Sequence, residues 1–90
     1  MTKDDKILYE QIDDILWYDW DPIGVNYNEA IRDEYIGYTP HIFRLKQQNV
    51  DAYKISQYLF SVVTIDMGMS GDTDFIMMEC KRIAQKIIDL

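Results

Sequence analysis

Three carboxylates, Glu10, Asp13 and Asp14, are the side chains whose spacing best suits joint chemistry. They stand at positions i, i+3 and i+4 of a predicted helix and therefore share one face. Paired carboxylates perform acid–base chemistry when a cleft shifts their pKa values. The sequence shows no nucleophile paired with a base, and a solvated helix face explains the three acids more simply. We therefore assign no catalytic residue.

His41 and Cys80 are the only histidine and the only cysteine of the chain. One His and one Cys cannot complete a structural zinc site, and no Glu-x-x-His pair indicates a di-iron bundle. Met77 stands where a calcium loop beginning at Asp66 would need a bidentate Glu. Cys80 falls on the apolar stripe of the last predicted helix, which favours a buried thiol. We therefore expect no metal, no cofactor and no disulfide within the chain.

The net charge of −7 lies entirely in the first third of the chain. Residues 1–34 contain ten Asp and Glu against three Lys and Arg, whereas residues 35–90 contain six of each kind. Phosphate contacts need Lys and Arg, so nucleic acid and anionic membrane surfaces are disfavoured as partners. No apolar run follows Met1, and none approaches the roughly 20 residues that span a bilayer. These features favour a cytoplasmic protein.

The segment from Trp17 to Val25 is the most distinctive part of the sequence. Residues 21–24, Asp-Pro-Ile-Gly, fit a type I turn. The structural explanation is that Trp20 and Ile23 close the open end of a bundle. Asp21 would then accept a hydrogen bond from the N–H of Ile23 or Gly24. The functional explanation is that aromatic side chains beside acids bind another protein.

The sequence thus defines one candidate site, a protein-binding surface on the first third of the chain. A negative field there steers a basic protein partner and raises its association rate. The helix acids are expected at the rim and an aromatic side chain at the centre, with Trp17 or Tyr18 as candidates. Trp17 fits the core equally well. The candidate partner-binding residues are Glu10, Asp13, Asp14, Trp17, Tyr18 and Asp21.

Apolar residues at steps of three and four predict the helices that position these side chains. The first helix covers residues 4–19 and is capped by Thr2 or Asp4. A second pattern over residues 29–48 contains Gly37 and Pro40, both of which disfavour a helix interior. We expect one element broken near Gly37–Pro40. The alternative is a new helix that begins with Thr39 as its cap.

Two further helices follow the boundary at Asp51, which is a good N-cap. The third helix runs to residue 66, and its β-branched end stays helical because no partner strand is evident. Gly68 supplies a left-handed stop, and Asp72 or Thr73 caps a last helix over residues 73–89. The predicted fold is one all-α domain over residues 1–90, a compact bundle of about four helices. Its core is expected to bring together Ile15, Ile42, Leu59 and Ile83.

Several motifs resemble those of the YugE-like family, small bacterial proteins whose function is unknown. They are Trp20-Asp21-Pro22-Ile23-Gly24-Val25, Asp33-Glu34-Tyr35 with Tyr38, Tyr58-Leu59 and Met67-Gly68. The resemblance covers most of the chain and implies a helical, cytoplasmic bacterial protein. Some similar proteins resemble immunity partners of toxins, so it also implies an inhibitor or immunity-type module. The run from Gly37 to Pro40 departs from the family pattern and implies a less regular second helix.

Three functions stay open at this point, and a protein-interaction module is favoured. The second is a small-ligand-binding protein with a groove lined by Tyr and Met. Four methionines flank the loop between the last two helices, where Met fills core gaps or lines adaptable surfaces. The third is an enzyme that uses the helix carboxylates. A deep pocket containing Asp13 or Asp14 favours the enzyme, whereas a flat acidic face with protruding aromatics favours the module.

Overall fold

The computed structural model describes all residues from Met1 to Leu90, and every regular element in it is helical. Its four α-helices are α1 (Lys3–Asp14), α2 (Thr39–Gln47), α3 (Ala52–Ser61) and α4 (Thr73–Ile88). π-helical turns extend α1 over Ile15–Trp20 and α3 over Val62–Asp66, and 3-10 turns at Glu29–Ile31 and Ile36–Tyr38 precede α2. The predicted all-α bundle of about four helices is confirmed.

Side-chain caps decide where three of the helices begin. Thr2 Oγ1 accepts the N–H of Asp5 at 3.0 Å, and the Asp5 carboxylate accepts the N–H of Thr2 in return. Asp51 caps α3 through the N–H of Lys54, and Asp72 caps α4 through the N–H of Phe75. Each carboxylate or hydroxyl satisfies a backbone donor that the first helical turn leaves free. These caps lie where the sequence predicts them.

The second predicted element is interrupted where Gly37 and Pro40 predict a break. Helix α2 begins only at Thr39, and Pro40 lies in its first turn, where a missing N–H removes no helical hydrogen bond. Thr39 does not cap this helix, because it is already helical and its hydroxyl donates to Asp13 Oδ1 at 3.3 Å. The preceding part of the predicted pattern forms separate 3-10 turns.

One core of 15 buried apolar residues includes side chains from all four helices. Ile42, Leu59 and Ile83 are completely buried, as predicted. The expectation for Ile15 is wrong, since this side chain is only partly buried and packs against the edge of the core. Ile12, Leu16 and Trp20 form the inner row instead. They follow one another at steps of four, which keeps them on one side of the helix.

Long-range contacts hold the ends of the helices together. Helix α3 packs on α4, α1 packs on α2, and the first π-helical turn packs on α4. Lys86 Nζ binds the Asp19 carboxylate at 2.8 Å, and Arg82 donates to the Asp19 carbonyl. Lys46 Nζ donates to the carbonyl of Ile88 at 2.6 Å and so joins α2 to the end of α4. None of the four helices combines the length and apolar character needed to cross a membrane.

Alkaline pH is expected to destabilise this fold, because burial favours the neutral forms of the Cys80 thiol and the Tyr35 hydroxyl. Burial raises the pKa of the Cys80 thiol from 9.0 to about 11. Burial also raises the pKa of Tyr35, and its hydrogen bond to Asp21 adds to the effect. Stabilisation from a raised pKa is complete below the unfolded value and disappears as pH rises through the folded value. Urea melts should therefore show about 2 kcal/mol lost between neutral pH and pH 11.

Two tyrosine variants provide the control for this pH profile. Tyr35→Phe should make the alkaline decline shallower without abolishing it, because it removes one buried hydroxyl whose ionisation opposes folding while the Cys80 thiol still ionises. Tyr27→Phe should leave the decline unchanged, since Tyr27 is 84% exposed. An unfolding free energy that stays constant up to pH 11 would contradict the expectation.

Candidate functional site

Arg32 lies at the centre of the surface that carries most of the candidate residues. Its guanidinium binds Asp13 Oδ2 at 3.1 Å and Asp14 Oδ1 at 2.9 Å. Arg32 belongs to the irregular segment between α1 and α2, whereas both acids belong to α1. The two ion pairs therefore fasten this segment to the first helix. Arg32 is not among the residues predicted for the site, although it is the only arginine of residues 1–34, which also contain ten acids.

The Arg32 guanidinium also contacts two aromatic rings of the first π-helical turn. Its central carbon lies 5.2 Å from the ring centre of Trp17 and 5.6 Å from that of Tyr18. Cations within about 6 Å of an aromatic ring are attracted by its negative face. Arg32 is thus held between two carboxylates and two aromatic rings. These contacts hold the segment that carries Arg32 against the first helix and its π-helical turn.

The three helix carboxylates have different surroundings. The Asp13 side chain is only 18% exposed, and it accepts from Arg32 and from the Thr39 hydroxyl. The simple solvated face expected for the three acids is therefore wrong for Asp13, since folding brings Arg32 and Thr39 against it. Asp14 is 62% exposed despite its ion pair with Arg32. Glu10 is exposed, and no base lies within ion-pair distance of it.

Of the two aromatic candidates, only Tyr18 is available to a partner. Trp17 is completely buried and packs beside Tyr35, with ring centres 6.0 Å apart. Trp17 therefore occupies the core, which was one of its two predicted positions, and its side chain cannot contact a partner. Tyr18 is 59% exposed.

Asp21 anchors the turn that follows the aromatic segment. Its Oδ1 accepts from the Tyr35 hydroxyl at 2.6 Å and from the N–H of Val25 at 2.8 Å. Its Oδ2 accepts from the N–H of Asn26 at 3.2 Å. The residue itself has a left-handed backbone, with φ at 36°. Asp21 therefore organises the turn and joins it to Tyr35, which is a structural role.

The predicted partners of the Asp21 carboxylate are wrong by one or two positions. The N–H of Gly24 donates to the Asp21 carbonyl at 3.0 Å, which closes the predicted turn through the backbone. The N–H of Ile23 donates to the Tyr35 hydroxyl at 3.3 Å. Both predicted donors are thus already engaged, and the carboxylate binds the next two N–H groups. Trp20 closes the core as expected, but Ile23 is exposed and does not.

We call the surface around Arg32 the acidic face. Glu10, Asp13 and Asp14 contribute to it from α1, and Glu29 and Asp33 from the segment after the turn. A shallow concavity of about 460 Å³ lies there, between Asp13, Arg32 and the two later acids. Tyr18 and Ile36 are exposed apolar side chains on or beside this face. Since Arg32 is engaged by two carboxylates, the remaining acids leave the face with a net negative charge.

A second concave feature, which we call the groove, lies between the turn and the start of α4. Its volume is about 390 Å³, and Trp20, Pro22, Met69 and Phe75 contribute to its walls. Cys80 also lines the groove, and it is only 1% exposed. The groove is not among the sites predicted from the sequence. The methionine cluster pointed to the loop beside it, but the contribution of Trp20 depends on packing across the bundle.

The chemistry available at these places is electrostatic and apolar contact. No three His, Cys, Asp or Glu side chains are grouped so that they could hold a metal ion. His41 stacks on Tyr58, with ring centres 4.2 Å apart. Burial raises the pKa of the Cys80 thiol, which keeps it protonated at neutral pH. No family model, curated protein or solved structure matches this chain.

Proposed function

We propose that this protein is an interaction module that binds a basic protein partner through the acidic face, in the manner of an inhibitor or immunity protein. One observation carries the proposal. Arg32, the only arginine of the first third, is already bound by Asp13 and Asp14. Glu10, Glu29 and Asp33 are exposed, and no base lies within ion-pair distance of them. An exposed Tyr18 adjoins them.

This combination suits protein recognition by charge and by aromatic contact. Surface carboxylates that lack a local counter-charge attract a positive partner and raise its association rate more than its final affinity. Tyrosine offers a large contact area with few rotatable bonds, and aromatic side chains are enriched at binding hot spots. Tyr18 is therefore assigned the central contact, with Glu10 and Asp14 at the rim.

The acidic face favours binding over acid–base catalysis by the helix carboxylates. Asp13 and Asp14 hold a guanidinium, and the concavity beside them is shallow and open. A catalytic carboxylate needs a cleft that excludes water and shifts its pKa.

Affinity capture from cells that make the protein, followed by kinetics with the captured partner, tests the proposal. The partner is expected to carry a basic surface. The double variant Glu10→Lys with Asp33→Lys should slow association about tenfold at low salt and hardly at all at about 1 M salt. Both positions are exposed and make no ion pair, so these changes spare the contacts that hold Arg32.

The matched control is Asp66→Lys with Asp89→Lys, which changes the net charge equally on residues outside the acidic face. Both control positions are exposed. Steering by the acidic face predicts that the control associates at close to the unmodified rate. Equal slowing by both pairs, no slowing by either, or an acidic captured partner would overturn the proposal.

A further inference from the structure

The groove has an apolar interior that the acidic face lacks. Its apolar lining comes from three parts of the chain that meet only in the folded bundle. These side chains are Trp20, Val63, Met69, Phe75, Ile76 and Cys80. At about 390 Å³, the groove falls within the size range of sites that take small ligands or side-chain anchors. Phe75 is 56% exposed even though it contributes to the wall.

The charged groups of the groove are all acids. Asp21, Asp72 and Glu79 line it, and no Lys or Arg does. Arg82 binds Glu79 at 3.0 Å and lowers the pKa of that carboxyl. Asp21 and Asp72 have only neutral donors, namely backbone N–H groups and the Tyr35 hydroxyl. An apolar occupant that also carries a positive charge would therefore find both an apolar lining and uncompensated carboxylates.

The apolar surface continues beyond the groove along α4. Met78 lies one turn after Phe75 and is 57% exposed. Two exposed apolar side chains one turn apart on α4 suit a chain segment better than a compact small molecule, which the groove alone would hold. A second copy of this protein is a poor occupant, because it would bring another net charge of −7 to an acidic rim.

We propose that the groove binds a peptide segment of a protein partner in which a large apolar side chain stands next to Lys or Arg. The apolar anchor enters between Trp20 and Phe75, and the cationic neighbour lies at the rim near Asp72. The choice of a protein as occupant rests on the proposed function. The groove and the acidic face are separate contact areas, and each has its own test.

The backbone at the groove agrees with this assignment. Trp20 is the last residue of one π-helical turn, and Val63 belongs to the other. π-helical turns are rare and occur frequently at functional sites. Both such turns of this protein thus contribute a side chain to the same groove.

Two synthetic peptides test the inference on the whole protein. One is a helical peptide of Leu and Lys, and the other has Glu in place of every Lys. Titration of the Leu–Lys peptide into isotope-labelled protein should shift the NMR signals of the Trp20 indole, Met69 and Phe75 in a saturable manner. The Leu–Glu peptide should leave these signals unchanged, because like charges meet at the rim.

A blocking variant separates the groove from the acidic face. Ser70 is an exposed loop residue that lines the groove. Ser70→Trp should fill it and weaken Leu–Lys binding about tenfold, the loss expected for one anchor. Gln57→Trp, on an exposed part of α3 outside the groove, should bind as the unmodified protein does. Retained helical circular dichroism shows that both variants are folded.

Several results would overturn the inference. They are NMR shifts confined to Glu10, Asp14 and Tyr18, equal binding of the Leu–Glu peptide, unchanged affinity of the Leu–Lys peptide for Ser70→Trp, or no binding of the Leu–Lys peptide.

The captured partner distinguishes the two proposals. A partner slowed by Glu10→Lys with Asp33→Lys but indifferent to Ser70→Trp supports the acidic face and removes the groove. Groove binding of the Leu–Lys peptide without any capturable basic partner removes the proposed function alone.

Discussion

Replacing Asp21 with Ala is expected to lower the free energy of unfolding by about 3 kcal/mol, since hydrogen bonds to a charged group contribute about 1.5–3 kcal/mol each and are not additive. The carboxylate accepts from the Tyr35 hydroxyl, the Val25 N–H and the Asn26 N–H. Ala also disfavours the left-handed backbone that Asp21 adopts. Urea denaturation at neutral pH measures the loss.

Two further variants at this position separate the side-chain bonds from the backbone effect. Asp21→Gly accepts the left-handed conformation and should lose only the hydrogen bonds, so it should be less destabilised than Asp21→Ala. Asp21→Asn keeps an acceptor oxygen and tolerates positive φ, so its loss should be the smallest. If all three variants unfold like the unmodified protein, the structural role of Asp21 is wrong. Intact stability with loss of partner binding would make the turn a functional contact instead.

Truncation of the central core residues is the second large expected effect. Ile42→Ala, Leu59→Ala and Ile83→Ala should each lower the free energy of unfolding by about 2–5 kcal/mol, because each removes completely buried methyl groups and leaves a cavity. A domain of this size has a total margin of about 5–15 kcal/mol or less. Some of these variants should therefore be partly unfolded at room temperature.

Ile15→Ala is the matched control for this series. It removes the same atoms as Ile42→Ala, but from a side chain that lies at the edge of the core. Its loss should be clearly smaller than that of the three central residues. Thermal and urea melts of all four variants provide the comparison. Equal losses at Ile15 and Ile42 would contradict the described core, and losses under about 1 kcal/mol at every position would contradict the bundle itself.

The features that could be predicted from the sequence are those that short stretches of chain determine. Asp51 and Asp72 cap helices through N–H groups three residues away, so local sequence specifies them. Gly68 takes a left-handed conformation at the end of the third helix, as its lack of a side chain allows. Apolar spacing identified the buried Leu59 and Ile83 for the same reason, because helical period places such residues on one face.

Other features were decided by contacts between residues far apart in the chain. Asp21 was expected to accept from Ile23 or Gly24, but its carboxylate accepts from Tyr35, 14 positions away, and from the N–H groups of Val25 and Asn26. Trp17 could belong to the surface or to the core, and only packing with residues distant in the chain, among them Tyr35, places it inside. Local sequence cannot decide such cases, because the competing partner is near only after the chain folds.

The sequence by itself determined the helical class, the starts of the first, third and last helices and the excess of acids in the first third of the chain. The tertiary structure decided which of those acids stay exposed and without a base in contact. Asp13 is enclosed by Arg32 and Thr39, whereas Glu10 remains exposed on the same helix. The physical reason is that the number of charged residues follows from composition, whereas the neutralisation of a carboxylate depends on its distance from a basic side chain. Arg32 reaches Asp13 and Asp14 only because folding returns its segment to the first helix.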